Sequence, residues 1–284
     1  MTADGILAHP AFGACVRTQA QALLRTYQAR PRMALPFATR RRRWLMAQAA
    51  LAKYFRNEAA RVGSGVLAEH FIDLVARHDL ASRNTAAAFI QEMLKYGIVR
   101  HAAASAGRRH RPFEPSPTTL AVVLHWHIIH LDTLDALDGG QRSATLHNKP
   151  ARLGAIQPQI ADGLLASSRV RKPDKSFSLF TWINDGGIVV DRLIAGCQEA
   201  AGQARIPTDV TSVSALAQGL NLSRTQLGRK FAAAEAIGGL GWSGTRGKSR
   251  LWVSSDFLHE YHAVQAAKLA IIDAAFEACF AKAP

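Results

Sequence analysis

Sliding the sequence along itself by 141 positions sets Ser82 on Ser223, Arg83 on Arg224 and Gly97 on Gly238. Such a repeat constrains the fold more than any other feature, because two copies of one supersecondary unit must bury equivalent faces. Each Ser-Arg pair follows a short segment of helical spacing, 66 to 80 in the first copy and 213 to 222 in the second. Each also precedes a helical pattern that ends at the paired glycine, so two helices joined by a tight turn are expected twice. A basic, glycine-containing tip comes next, Ala106 to Arg111 and Gly244 to Arg250. Leu251-Trp252-Val253 suits a returning strand, whereas Pro112-Phe113-Glu114-Pro115 suits only an edge strand, since proline cannot donate to a ladder. A long amphipathic helix closes each copy, over 118 to 137 and 255 to 280.

Elsewhere, apolar residues recur at three- and four-residue spacing, as in Leu120, Leu124, Ile128 and Leu131, and glycine and proline punctuation is sparse. With 48% hydrophobic residues in 284, the expected class is mainly α with ample core. A helix from Pro10 to Arg30 should stop at Pro31 and Pro36, and a second should run from the Arg40 to Arg43 cluster through Trp44 to Asn57. That arginine cluster reads as a solvated helix start. Asp138-Gly139-Gly140 ends a helix, and Pro150, Pro158 and Pro173 mark 138 to 176 as an irregular connector holding a short helix. The expected units are an N-terminal helical arm (1–39), a first unit (40–137), the connector (138–177) and a second unit (178–284).

The order helix, helix, turn, helix, basic hairpin, long helix carries the pattern Ser82-Arg83-Asn84-Thr85-Ala86-x-x-Phe89-Ile90-x-x-Met93-x-x-x-Gly97. It resembles the winged helix-turn-helix of the MarR family of bacterial transcriptional regulators. Leu220-Asn221-Leu222-Ser223-Arg224-Thr225-Gln226-Leu227 is the corresponding turn and helix start of the second copy. The resemblance implies tandem winged helix-turn-helix units with small β-hairpin wings and a shared helical core. MarR-like proteins dimerise through their terminal helices; here one chain would act as a monomeric pseudo-dimer.

Helical periodicity buries Ala86, Phe89, Ile90 and Met93 on one face and leaves Arg83, Asn84, Ala87, Ala88 and Gln91 on the other. In the second copy Leu227, Phe231 and Ala234 are buried, Arg224, Thr225 and Arg229 are outward, and Gln226 and Lys230 flank them. Arginine bridges guanine O6 and N7, and asparagine or glutamine pairs with adenine. Ser82 and Ser223 are expected N-caps whose helix starts offer N–H groups to a phosphate. Arg108, Arg109, Arg111, Arg246, Lys248 and Arg250 would grip the backbone or the minor groove. Lysine plus arginine number 35 against 21 acidic residues, a formal charge of +14 spread over both halves, which favours a polyanionic partner, double-stranded DNA.

Family likeness also implies a small aromatic effector between helical core and DNA-binding units, with Trp126, His127, His130 and Trp182 lining its cleft. His125 and His127 point about 200° apart on a helix, leaving His127 and His130 alone on one side, so core histidines are expected and no metal or other cofactor. Cys15, Cys197 and Cys279 lack metal or disulfide spacing, the start lacks a signal pattern, and the apolar run Leu120 to Leu131 holds three histidines. A cytoplasmic protein without a membrane span is expected. GxGxxG, GxxxxGK[ST], HExxH and GxSxG do not occur, and Gly63-Ser64-Gly65 lacks the elbow context, so no enzyme is expected. The reading is a sequence-specific transcriptional regulator. A plasmid-type replication initiator with two winged-helix units, or a protein-binding winged-helix module, are the alternatives.

Overall fold

Leucine, isoleucine and alanine at helical spacing, started by serine caps and stopped by left-handed residues, build a mainly α-helical chain. The computed structural model describes residues 1–29, 41–102, 111–173, 175–181, 186–198 and 202–280. In the first half the helices are α1 (Ala3–Leu7), α2 (Phe12–Ala29), α3 (Arg41–Ala60), α4 (Ala68–Arg77), α5 (Arg83–Lys95) and α6 (Pro117–Asp138), with strands β1 (Val99–His101) and β2 (Phe113–Pro115) before α6. The second half runs α7 (Arg142–Asn148), a 3-10 turn (Pro150–Arg152), α8 (Leu153–Ala166), α9 (Ser168–Arg171), α10 (Lys175–Thr181) and α11 (Gly186–Ala195). It continues with β3 (Arg205–Pro207), α12 (Val213–Gly219), α13 (Arg224–Ala236), β4 (Leu240–Trp242), β5 (Leu251–Ser254) and α14 (Ser255–Phe280).

β1 and β2 are antiparallel, with Arg100 opposite Glu114, and Val66 adds a bridge in which it exchanges both backbone hydrogen bonds with Phe113 (2.8 and 2.9 Å). The second sheet has the order β3-β5-β4, with Ile206 and Leu240 both opposite Val253. Val66 and Pro207 lie 141 positions apart, as do Phe12 and Leu153 at the starts of α2 and α8. The repeat thus reaches the N-terminal segment and the stretch after α6.

Packing exchanges these elements between halves. α2 lies on α6 of its own half and on α11 of the other; α8 lies on α14 of its own half and on α3 of the other. α1 packs on α14 and α7 on α6, while α6 and α14 meet each other. Gln19 of α2 donates to Gln265 of α14 (3.1 Å) and accepts from Thr133 of α6 (3.1 Å); Gln157 of α8 donates to Gln48 of α3 (2.6 Å), where Arg56 also pairs with Asp162. The buried Gln19 amide thus ties α2 to α6 and α14, whereas Gln157 Oε1 is left without a partner among the described residues and the Arg56–Asp162 pair lies at the surface. Among the described residues a main apolar core runs from Ile6 to Cys279, and Leu51, Val123 and Leu153 form a smaller cluster beside it.

The expectation of an irregular connector over 138 to 176 is corrected. Gly139, at φ +75°, does end α6, but most of the chain between it and α10 is helical, as α7, α8 and α9. Asp135 accepts the Arg142 and Ser143 N–H groups (both 2.9 Å) and caps α7 from the preceding helix. Pro150 sits at the start of the 3-10 turn, and Pro158 lies inside α8, which keeps its helix because α3 and α14 clamp it. The apolar α6 is long enough by composition to span a bilayer, yet 56% of that window is buried inside the fold.

Both helix pairs turn through a left-handed residue followed by a leucine: Asp79 (φ +49°) with Leu80, and Asn221 (φ +60°) with Leu222. The leucine N–H reaches back to Val75 O (3.1 Å) and Ala217 O (2.8 Å), the closing bond of a Schellman turn. Gly97 (φ +67°) and Gly238 (φ +73°) end α5 and α13 in the same way, with open space where a Cβ would stand. Gly97→Ala and Gly238→Ala are each expected to lower stability by about 1 kcal/mol, from backbone strain alone. A urea midpoint unchanged in both variants would contradict that origin.

Candidate nucleic-acid interface

Ser82 Oγ accepts the Thr85 N–H (3.2 Å) and Ser223 Oγ accepts the Gln226 N–H (3.4 Å), so both serines are N-caps. Neither α5 nor α13 has an acidic residue in its first turn, which leaves the positive helix end uncompensated there. Ala86, Phe89, Ile90 and Met93 are buried while Arg83, Asn84, Ala88 and Gln91 are exposed and Ala87 half-buried. On α13, Leu227, Phe231 and Ala234 are buried, Arg224, Thr225, Gln226 and Arg229 are exposed, and Lys230 is half-buried.

Ion pairs divide the two faces. Arg83 holds Asp73 of α4 (2.7 Å), so part of the α5 charge is neutralised. Arg224 and Arg229 form no ion pair among the described residues. Arg43 departs from the solvated helix start expected of its cluster: it pairs with Glu92 (2.8 Å) and lies 5.2 Å over the Phe89 ring, tying α3 to α5. Phe180 of α10 performs the matching task for α13, meeting Phe231 edge-on at 6.0 Å.

Of the first hairpin tip, Arg108 and Arg109 lie outside the described residues; Arg111 is exposed, and Arg100 at the base pairs with Glu114 (2.9 Å). The second tip is built by Ser249, whose Oγ accepts Gly244 N–H and donates to Thr245 O (both 3.0 Å). Lys248 is exposed on it. Arg246 pairs with Glu235 of α13 (3.3 Å) and Arg250 donates to Gln198 (3.0 Å), which holds the tip beside the α13 end.

Behind these surfaces a cavity of about 140 Å³ sits between the halves. Trp126 lines it, as expected, but His127 and His130 do not, and Trp182 lies outside the described residues. Both histidines are fully buried against the helix backbone, with Nδ1 2.7 Å from Val123 O and from Trp126 O. His125 is exposed, as the helical angle requires. Burial holds His127 down to about 4; burial and then the nearby Lys268 charge hold His130 well below the usual range.

Three polar residues that line the cavity escaped sequence reading. Tyr261 O–H donates to Asp191 (3.0 Å), and Lys268 places its ammonium 5.8 Å over the Trp126 ring. Burial pushes the Asp191 carboxyl up to about 6, opposed by the Lys268 charge and the Tyr261 hydrogen bond. Two of them carried a signal, charge set between apolar neighbours, in Ile188-Val189-Val190-Asp191-Arg192-Leu193 and in Ala266-Ala267-Lys268-Leu269; Tyr261 carried none.

Comparison with protein-family models, curated proteins and solved structures returned no match.

Proposed function

We propose that the chain is a sequence-specific DNA-binding transcriptional regulator in which two winged helix-turn-helix units act as a single-chain pseudo-dimer. The observation that carries this reading is the pairing of α5 and α13. The two helices lie 141 positions apart, follow left-handed turns, precede small hairpins and turn polar faces to solvent in a chain of charge +14. Capped helix starts without acidic residues suit phosphate, and the Arg224 and Arg229 guanidinium groups suit guanine edges. Exchange of α2 and α8 across the halves supports the pseudo-dimer, since it resembles two subunits sharing one core. Work on DNA agrees with the cytoplasmic location expected from the sequence, and no catalytic role is part of the proposal.

Fluorescence anisotropy on random and selected duplexes tests it. Binding of one chain per duplex is expected, with log affinity falling linearly against log salt at a slope of about −5, for six cations engaged. A chain that ignores duplex DNA at 50 mM salt, or whose affinity is flat in salt, would sink the reading.

A further inference from the structure

Ahead of α10 the chain carries the basic run Arg169-Val170-Arg171-Lys172, which spans most of α9 and its closing residue; from 168 to 175 four cations stand against one carboxylate, Asp174. Ser167 caps the start of α9 by accepting the Val170 N–H (3.3 Å), and the Lys172 N–H closes it on Ser168 O (2.8 Å). Val170 is buried in the core and α9 packs on α8 and α14, so packing sets its place. Arg171 then crosses to the other half and donates from Nη2 to His78 O (2.7 Å), the carbonyl at the end of α4. α2 makes the same move in the opposite direction, where Tyr27 O–H donates to Leu220 O (3.3 Å) at the end of α12. Each helix-turn-helix is thus gripped at its turn by a segment of the other half.

The first unit gains two cations from this grip. Arg169 and Lys172 are exposed and form no ion pair among the described residues. Shifted by 141 positions Arg171 falls on Arg30, but Arg169 and Lys172 fall on the uncharged Gln28 and Pro31, so these two cations are not part of the repeat. They stand on the side where the reading face is weaker, since Arg83 is held by Asp73 and two alanines interrupt α5. A helix-turn-helix sends the start of its second helix into the groove while the first helix crosses the backbone, so the turn between them travels to the groove edge. Cations fixed beside that turn meet phosphate oxygens there, and a lysine ammonium suits phosphate as a point charge. We propose that Arg169 and Lys172 form a further DNA-binding site, a clamp on backbone phosphates beside the first helix-turn-helix. It rests on the reading of the chain as a DNA-binding protein.

Salt titration of the full chain and of the Arg169→Gln, Lys172→Gln double variant, with phosphate-ethylation interference on the selected duplex, tests it. The variant is expected to make the salt slope shallower by about two and to lose about 10- to 100-fold in affinity at about 0.1 M salt. Selected and random duplexes should lose alike, because phosphates carry no sequence. Phosphates whose ethylation blocks the unaltered chain should drop out of the pattern beside one half-site, the one that Arg224→Ala, Arg229→Ala leaves unaffected, with the rest unchanged. Arg169→Lys, Lys172→Arg, which keeps both charges, should bind as the unaltered chain does. A slope that changes by less than about one, an unaltered interference pattern, lost phosphates spread over both half-sites, or a charge-keeping variant as weak as the glutamine one would overturn the clamp while the DNA reading stands. An unaltered chain that ignores duplex DNA would overturn both.

Discussion

Acidifying the protein from pH 7 to pH 5 is expected to cost its fold at least about 3 kcal/mol. His127 and His262 are held down to about 4 by burial, and His130 lies well below its usual value for the same reason. In the unfolded chain each would take up its proton near 6.5. Between that value and the depressed one the unfolded state therefore binds more protons, and stability is lost as pH falls through this window. At pH 5 His127 and His262 each account for roughly 2 kcal/mol, and His130 adds to the loss in the same direction. Asp191 works against them: its carboxyl, raised to about 6, is an unfavourable buried charge at pH 7, and protonation relieves roughly 1 kcal/mol of that by pH 5. Among the described residues no hydrogen bond meets Nε2 of the three rings, and the Gln157 side chain beside His127 only partly offsets the cost of burial there. Urea midpoints measured from pH 7.5 to 5 check the sum, and His127→Gln should flatten the curve by about one histidine's share. A midpoint that stayed level or rose toward pH 5 would show that these rings are already protonated or solvated in the native state.

Local features were readable from the chain because local chemistry determines them. Ser82 and Ser223 cap helices, and Gly97 and Gly238 end them, through bonds that span three to five positions. Outward and inward residues of α5 and α13 followed from the helical period alone. Proline was a poorer guide. Pro158 removes one backbone bond, yet the contacts of α8 with α3 and α14, which no local window contains, outweigh that loss. The exchange of α2 and α8 between halves was hidden for the same reason, since a repeat shows equivalence and not which copy packs on which. At the proposed interface, the partners Asp73, Glu235 and Glu92 sit on neighbouring elements, so the partial neutralisation of Arg83 and Arg246 and the anchoring of Arg43 could not be read from spacing. Asp191 and Tyr261 are separated by 70 positions, and only the fold brings them together at the cavity.

Replacing both Arg224 and Arg229 by alanine is expected to lower affinity for the preferred duplex by about 10² to 10³-fold, since each bidentate guanine contact is worth about 1–3 kcal/mol. Random duplex should lose far less, because its binding rests on phosphate contacts. The same exchange at Arg83 should have a smaller effect: the guanidinium must leave Asp73 before it can reach a base, and this competing pair offsets part of the gain. Gln91 and Asn84 remain for adenine, while the intervening Ala87 and Ala88 reach only thymine methyls. The two helices therefore present different chemistry, and the proposed operator consists of two dissimilar half-sites with centres about 10 base pairs apart if successive major grooves are entered. Substituting Lys248 and Arg250 on the second tip should instead weaken all sequences alike and make the salt slope shallower by about one for each phosphate no longer neutralised. Unbiased selection of bound duplexes, followed by titration of the variants, separates these effects. A perfect palindrome from the selection, or full discrimination retained by the Arg224→Ala, Arg229→Ala double variant, would rule out unequal reading by the two helices.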